Sequence, residues 1–173
     1  MESGNTTYFF SLDFNLAGQA LPPVSPAAIV QSFPELAWGI IVFDAFVMNG
    51  DRHNQNIAHD ATTNRVQIFD HSHAFLTPGG DIDQTLAARS GSLALGGHCL
   101  AGEIDTKAGL ATWLERLKQI PDYFIEGTIE AACSCGIPFE KKDAISAFMK
   151  TRRDNLGQLF SANMASFPKA PAQ

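Results

Sequence analysis

The run Leu36 to Met48 is apolar except for a single carboxylate, Asp44. It is shorter than the roughly 20 residues that a membrane span needs. A lone charge in an apolar interior is expensive unless it is paired or hydrogen-bonded. The run therefore predicts a central helix, buried on most faces, with Asp44 bonded to nearby backbone such as that of the following loop. Ser32-Phe-Pro-Glu35 reads as a capping box at its start, with Ser32 and Glu35 each serving the other's backbone N–H. Pro34 is tolerated in a first turn. The helix is expected from about Phe33 to Met48.

Directly after it comes Asn49-Gly-Asp-Arg-His-Asn-Gln-Asn56, and then Ile68-Phe-Asp-His-Ser-His-Ala-Phe75. Asn56 to His59 and Arg65 to Phe69 read as short strands joined by the turn Asp60 to Asn64. Val66 and Ile68 alternate with Arg65 and Gln67, which predicts one buried and one wet face. A loop and hairpin of this kind can point Asp51, Asn56 and Asp70 at one place. Phosphoryl transfer needs a group to orient the attacking hydroxyl and hard oxygen ligands for Mg²⁺ on the phosphates. Asp51 suits the first role, and Asn56 and Asp70 suit the second. Arg52 is expected as an ion-pair or backbone anchor. His53 is expected to be structural, bonding backbone near Asp70, and His73 to be a surface or supporting group.

The remainder reads as scaffold. Residues 1–31 form an arm and connector, with an aromatic stretch Tyr8 to Phe14 and a Pro-rich break from Leu21 to Pro26. Thr77 to Gly80 reads as a loop. A short helix is expected near Gln84 to Ala88, then a loop at Gly96-Gly97. Further helices are expected from Asp105 to Gln119, from Pro121 to about Ser134 with Gly136 as its C-cap, and from Pro138 to about Asn163. Leu110, Trp113, Leu114 and Leu117 share one face of the first of these. The domain is placed at 32–165, with 166–173 as a tail. The formal charge of −6 argues against a general nucleic-acid binder. The one basic cluster, Lys150 to Arg153, reads as a solvated helix face. Three cysteines, Cys99, Cys133 and Cys135, do not make a disulfide framework and suit a reducing, cytoplasmic setting. No signal-peptide pattern opens the chain.

The motif resembles the HipA-like kinases and, more distantly, the phosphoinositide and protein kinases. Asp51 and Asn56 lie five positions apart, as the catalytic Asp and metal-binding Asn do in protein kinases, and Asp70 follows a hairpin as the second metal ligand does. Asp51-Arg52-His53 has the order of the lipid and HipA-like branches, where protein kinases carry His-Arg-Asp. Asp70-His71-Ser72 stands in the place of Asp-Phe-Gly. Phe43-Asp-Ala-Phe-Val-Met-Asn49 also looks like the HipA-like branch. The resemblance implies a mainly α (α+β) fold: a helical kinase C-lobe with a short catalytic-loop hairpin. It implies Asp51 as catalytic base, Asn56 and Asp70 as metal ligands, and Asn49, Arg52, His53, Asp44 and His71 in support. It implies ATP and Mg²⁺ as cofactors and a hydroxyl-bearing acceptor. No Gly-rich loop, Lys-bearing strand or paired Glu precedes the motif, so an N-lobe is expected from elsewhere or from a partner protein.

Two other classes fit the same residues. A non-catalytic binding module would keep the kinase scaffold and use its uncovered face and the arm Tyr8 to Phe14. A metal-dependent hydrolase would use His71 and His73, at i and i+2, with Asp51 and Asp70. Cys133-Ser-Cys135 has no second pair and reads as two partly buried thiols.

Overall fold

The computed structural model describes residues 22–75, 81–135 and 141–171. The expectations for Tyr8 to Phe14, Thr77 to Gly80, Gly136 and Pro138 fall outside them. Among the described residues there are six α-helices and one two-stranded antiparallel sheet, so the mainly helical expectation with a small hairpin holds.

Regular structure begins earlier than expected. Ser25 accepts a hydrogen bond from the backbone N–H of Ala28, and Pro26 takes the first position of α1 (Pro26–Ser32). Proline lacks the N–H that a first turn leaves unpaired, so here it opens a helix rather than breaking one. This puts a helix inside the region assigned to the connector. It also removes the capping box, because Ser32 ends α1 instead of starting the next helix. Phe33, at φ −137° and ψ 57°, bends the chain by 118° into α2 (Pro34–Val47), which has no side-chain cap.

Helix α2 is the central element. Ala37, Trp38, Ile41 and Ala45 are sealed from solvent, and α1, α4 and α6 all pack against it. It stops at Met48, which adopts a left-handed conformation at φ 58°. No single described helix is long and apolar enough to cross a membrane, although the bent pair α1–α2 passes by length and composition alone. The expected hairpin follows as β1 (Ile57–Asp60) and β2 (Arg65–Ile68), with Ile57 opposite Ile68 and Asp60 opposite Arg65. Asp60 organises its turn by accepting from the backbone of Thr62 and from the hydroxyl of Thr63. Val66 and Ile68 pack on the core as expected.

Helix α3 (Ile82–Arg89) is capped by Asp81, whose carboxylate accepts from the N–H of Gln84 at 2.9 Å. Helix α4 (Leu110–Lys118) starts five residues later than the Asp105 expected from its pattern. Its start is set by Gly109 at φ 98°, where a β-carbon would lie 2.9 Å from the Cα of Glu35. Only glycine meets both conditions. Gly39 of α2 works similarly from the other side: Trp113 of α4 rests in the space a side chain would occupy, 2.5 Å from the ideal Cβ position. The Trp113 indole donates to the carbonyl of Glu35 at 2.7 Å. Helices α5 (Asp122–Ser134) and α6 (Lys142–Ala162) complete the layer.

Two sequence expectations fail in the last helix and beyond it. Lys150 to Arg153 is not a solvated face. Arg152 is buried and donates to the carbonyls of Ala45, Arg89 and Ser92, which ties α6 to the C-terminal ends of α2 and α3. Burial, then repulsion from Arg89, pushes its pKa down to about 10, still well above neutrality. The helix ends carry partial negative charge, and that charge is what this guanidinium meets in place of a carboxylate. Nor is 166–173 simply a tail. Phe167 is buried against Trp38 and Phe160, at ring separations of 5.0 and 5.9 Å.

Candidate active site

The last turns of α2 deliver Asp44 into a site with no solvent contact. Its partners are side chains rather than the loop backbone expected from sequence. One carboxylate oxygen accepts from Asn49 Nδ2 at 3.1 Å and from Arg52 Nη2 at 2.9 Å. The other accepts from Arg52 Nε at 2.8 Å and from His98 Nε2 at 3.2 Å. His98 Nδ1 accepts from the backbone N–H of Leu100, which leaves the Nε2 proton to face Asp44. His98 was not singled out as a site residue in the sequence. It lies 54 positions from Asp44, on a loop whose conformation carries no local signal.

Arg52 does more than neutralise Asp44. Its Nη1 donates to the carbonyl of Asn56 at 3.1 Å and to that of Phe69 at 2.6 Å. Its own carbonyl accepts from Cys99 at 2.8 Å. One buried guanidinium thus joins α2, the loop and the two ends of the hairpin. The backbone N–H of Phe69 also donates to the carbonyl of Asn56, so the ladder runs one pair beyond the strands. Asp70 is the next residue, and its φ of 52° turns the chain away from the ladder.

The three candidate residues differ in environment. Asp51 is half exposed, and its carboxylate lies 3.6 Å from His73 Nε2. Its backbone is fixed by donation from its own N–H to Asn49 Oδ1 and by acceptance from His53 N and Asn56 Nδ2. Asn56 is buried, and because its amide nitrogen is spent on Asp51 its amide oxygen is the atom free for a cation. Asp70 is exposed, with one oxygen held by the Ser72 hydroxyl at 2.7 Å and by the Ser72 N–H at 3.2 Å. Those bonds, the hydroxyl first, hold its carboxyl below the usual carboxylate range, so it is ionised at neutral pH. His73 and His53 add smaller effects of the same sign.

The histidines differ from expectation. His53 accepts from the N–H of Gln55 and starts a short 3₁₀ turn over Asn54–Asn56, rather than bonding backbone near Asp70. Residues 71–74 form a turn closed by Ala74 N to His71 O at 2.9 Å, so His71 and His73 are not on one face of an extended run. The His71 ring meets Phe43 edge-on at 5.5 Å, and desolvation, then the Arg52 charge, lowers its pKa. Among the described residues no group of three or more His, Cys, Asp or Glu side chains could hold a metal ion. The hydrolase arrangement therefore lacks its ligand set there. Cys99 is partly buried, and desolvation raises its thiol pKa to about 11, so it is no nucleophile near neutrality.

No family model, curated protein or solved structure matches the chain.

The charge arrangement can be checked by pH. Burial raises the Asp44 pKa, but the hydrogen bonds from Arg52 and His98 and the charge of Arg52 outweigh it and hold it below the ordinary 3.8. A carboxylate depressed in the folded state stabilises the fold fully above its unfolded value and loses that contribution as pH falls through the folded one. The urea midpoint of the wild type is expected to drop as the pH falls below about 4. Asp44→Asn, less stable at neutral pH, is expected to flatten that slope. Parallel acid profiles for the two proteins would contradict the role given to Asp44.

Proposed function

We propose that this chain is the catalytic-loop lobe of an ATP- and Mg²⁺-dependent phosphotransferase of the HipA-like kinase type. The observation that carries the reading is the brace made by Arg52. It lies in the sequence between Asp51 and Asn56 and bonds the carbonyls of Asn56 and of Phe69, the residue before Asp70. All three functional positions are therefore within one residue of a bond to the same buried group, or bonded to each other. Preorganisation of this kind is the main protein contribution to phosphoryl transfer.

The roles follow from environment. Asp51, half exposed and open to an incoming hydroxyl, orients the acceptor and takes its proton. The free amide oxygen of Asn56 and the ionised carboxylate of Asp70 are hard oxygen donors of the kind that Mg²⁺ takes. Mg²⁺ keeps most of its shell as water and phosphate oxygen, so two protein ligands suffice. When bound, it would neutralise charge on the phosphates. Asn49 and His98 hold Asp44, Asp44 holds Arg52, and His71 packs edge-on against Phe43 beside them. A nucleotide lid, in this polypeptide or a partner, completes the enzyme in this reading. Its acceptor is a hydroxyl compound and its setting cytoplasmic.

Calorimetric titration of Mg·ATP into the purified chain tests the reading. Saturable binding is expected that requires Mg²⁺ and weakens at least about tenfold in Asp70→Asn, the loss of roughly one charge-assisted contact. Binding that ignores both Mg²⁺ and Asp70, or none at millimolar nucleotide, would favour a non-catalytic module on the same scaffold.

A further inference from the structure

Residues of α2, α4 and α5 line a half-open apolar cavity of about 440 Å³. That lies within the range of about 300–1,000 Å³ typical of small-molecule sites. Val42, Phe46, Leu117, Ile125 and Ile129 line its interior. Its mouth carries Phe43 and Phe124, which are 40% and 59% exposed, unusual for phenylalanine. One cation stands at the edge. The guanidinium carbon of Arg116 sits over the Trp113 ring, 4.6 Å from its centre. Among the described residues it has no carboxylate partner. The acids of the neighbouring helix face other cations: Glu126 pairs with Lys150, Glu130 with Lys142, and Asp122 with Arg153. The Thr128 hydroxyl is likewise used, donating to the Phe124 carbonyl at 2.7 Å.

An apolar lining with an unpaired cation at its edge is complementary to an apolar chain that ends in an anion. We propose that this cavity binds a single acyl chain bearing a carboxylate, with the chain between α2 and α5 and the head group on Arg116. Arg116 is exposed, and a guanidinium offers a carboxylate two parallel N–H donors. The cavity borders the site built on Arg52 through Phe43, which meets His71 edge-on, but the proposal does not depend on the phosphotransferase reading.

The test is calorimetric titration of dodecanoate, below its critical micelle concentration, into the full chain. The same titration with dodecanol reports the chain without its charge. Saturable one-to-one binding is expected, with dodecanoate favoured. Arg116→Gln is expected to weaken dodecanoate by about three- to fivefold, the size of one exposed charge pair, and to leave dodecanol unchanged. Thr128→Trp, an exposed position that would fill the mouth, is expected to abolish binding of both with its melting temperature kept. Undiminished binding in Thr128→Trp, equal binding of acid and alcohol, or no binding to the wild type would overturn the proposal. So would a concentration-dependent dimer that Thr128→Trp dissolves, because a second copy would then be the occupant.

Discussion

Replacing Asp51 with Asn is expected to lower phosphoryl transfer by the assembled enzyme by about 10²–10⁴, the usual contribution of a positioned general base. The amide is nearly isosteric but cannot accept the acceptor's proton or carry the charge that orients it. The same change is expected to leave Mg·ATP affinity and melting temperature close to the wild type. Asp51 is half exposed, and the one ion pair of its side chain is a 3.6 Å contact with the exposed His73. Its structural contributions come from backbone atoms, which the substitution preserves. The split between lost turnover and retained binding separates a catalytic role from a structural one. An Asp51→Asn enzyme of unchanged rate would remove Asp51 from the mechanism.

The largest stability effect is expected at Arg52. Arg52→Met should cost about 3–5 kcal/mol, because it leaves the Asp44 carboxylate buried without its cation. Two carbonyls, of Asn56 and Phe69, lose a donor in the same step. Domains of this size are stable by about 5–15 kcal/mol, so the variant should be near the edge of folding. Adding Asp44→Leu to Arg52→Met should recover part of the loss, since the orphaned charge is then gone. Recovery should be incomplete, because Asn49 and His98 each keep a donor that Asp44 used to accept. Urea unfolding of both variants measures this. A cost for Arg52→Met under about 1 kcal/mol would mean that the brace is not structural.

How much of this could be read in the chain depends on the distance over which each feature is decided. The buried helix and the hairpin are local patterns of apolar period and turn residues, and the strands lie within a residue of expectation. That Asp44 needs a partner follows from its neighbours, but which partner does not. Arg52 is eight residues on and His98 fifty-four, and only the folded chain brings them together. Arg152 shows the reverse case. Its neighbours Lys150 and Arg153 lie toward solvent or acids, while one helical step turns Arg152 inward to carbonyls supplied by other helices. The Pro-rich stretch to Pro26 reads as a break, yet α1 starts there, since proline ends helices from within and starts them from the first turn. Phe167, among prolines and small residues, enters the core only because Trp38 and Phe160 leave it a place. Of the candidate site, Asp51, Asn56 and Asp70 were legible as residue types at a spacing. The buried brace that holds them was legible only in part.

The central claim is that Asn56 and Asp70 receive a nucleotide-bound cation beside Asp51. Its most direct test is paramagnetic line broadening in amide spectra of the chain with substoichiometric Mn·ATP, Mn²⁺ standing in for Mg²⁺. The account predicts that the amide signals of Asp51, Asn56 and Asp70 broaden first, and that Asp70→Asn removes the effect. Broadening centred on other carboxylates, such as Glu126 and Glu130 of α5, or unaltered by Asp70→Asn, would contradict it.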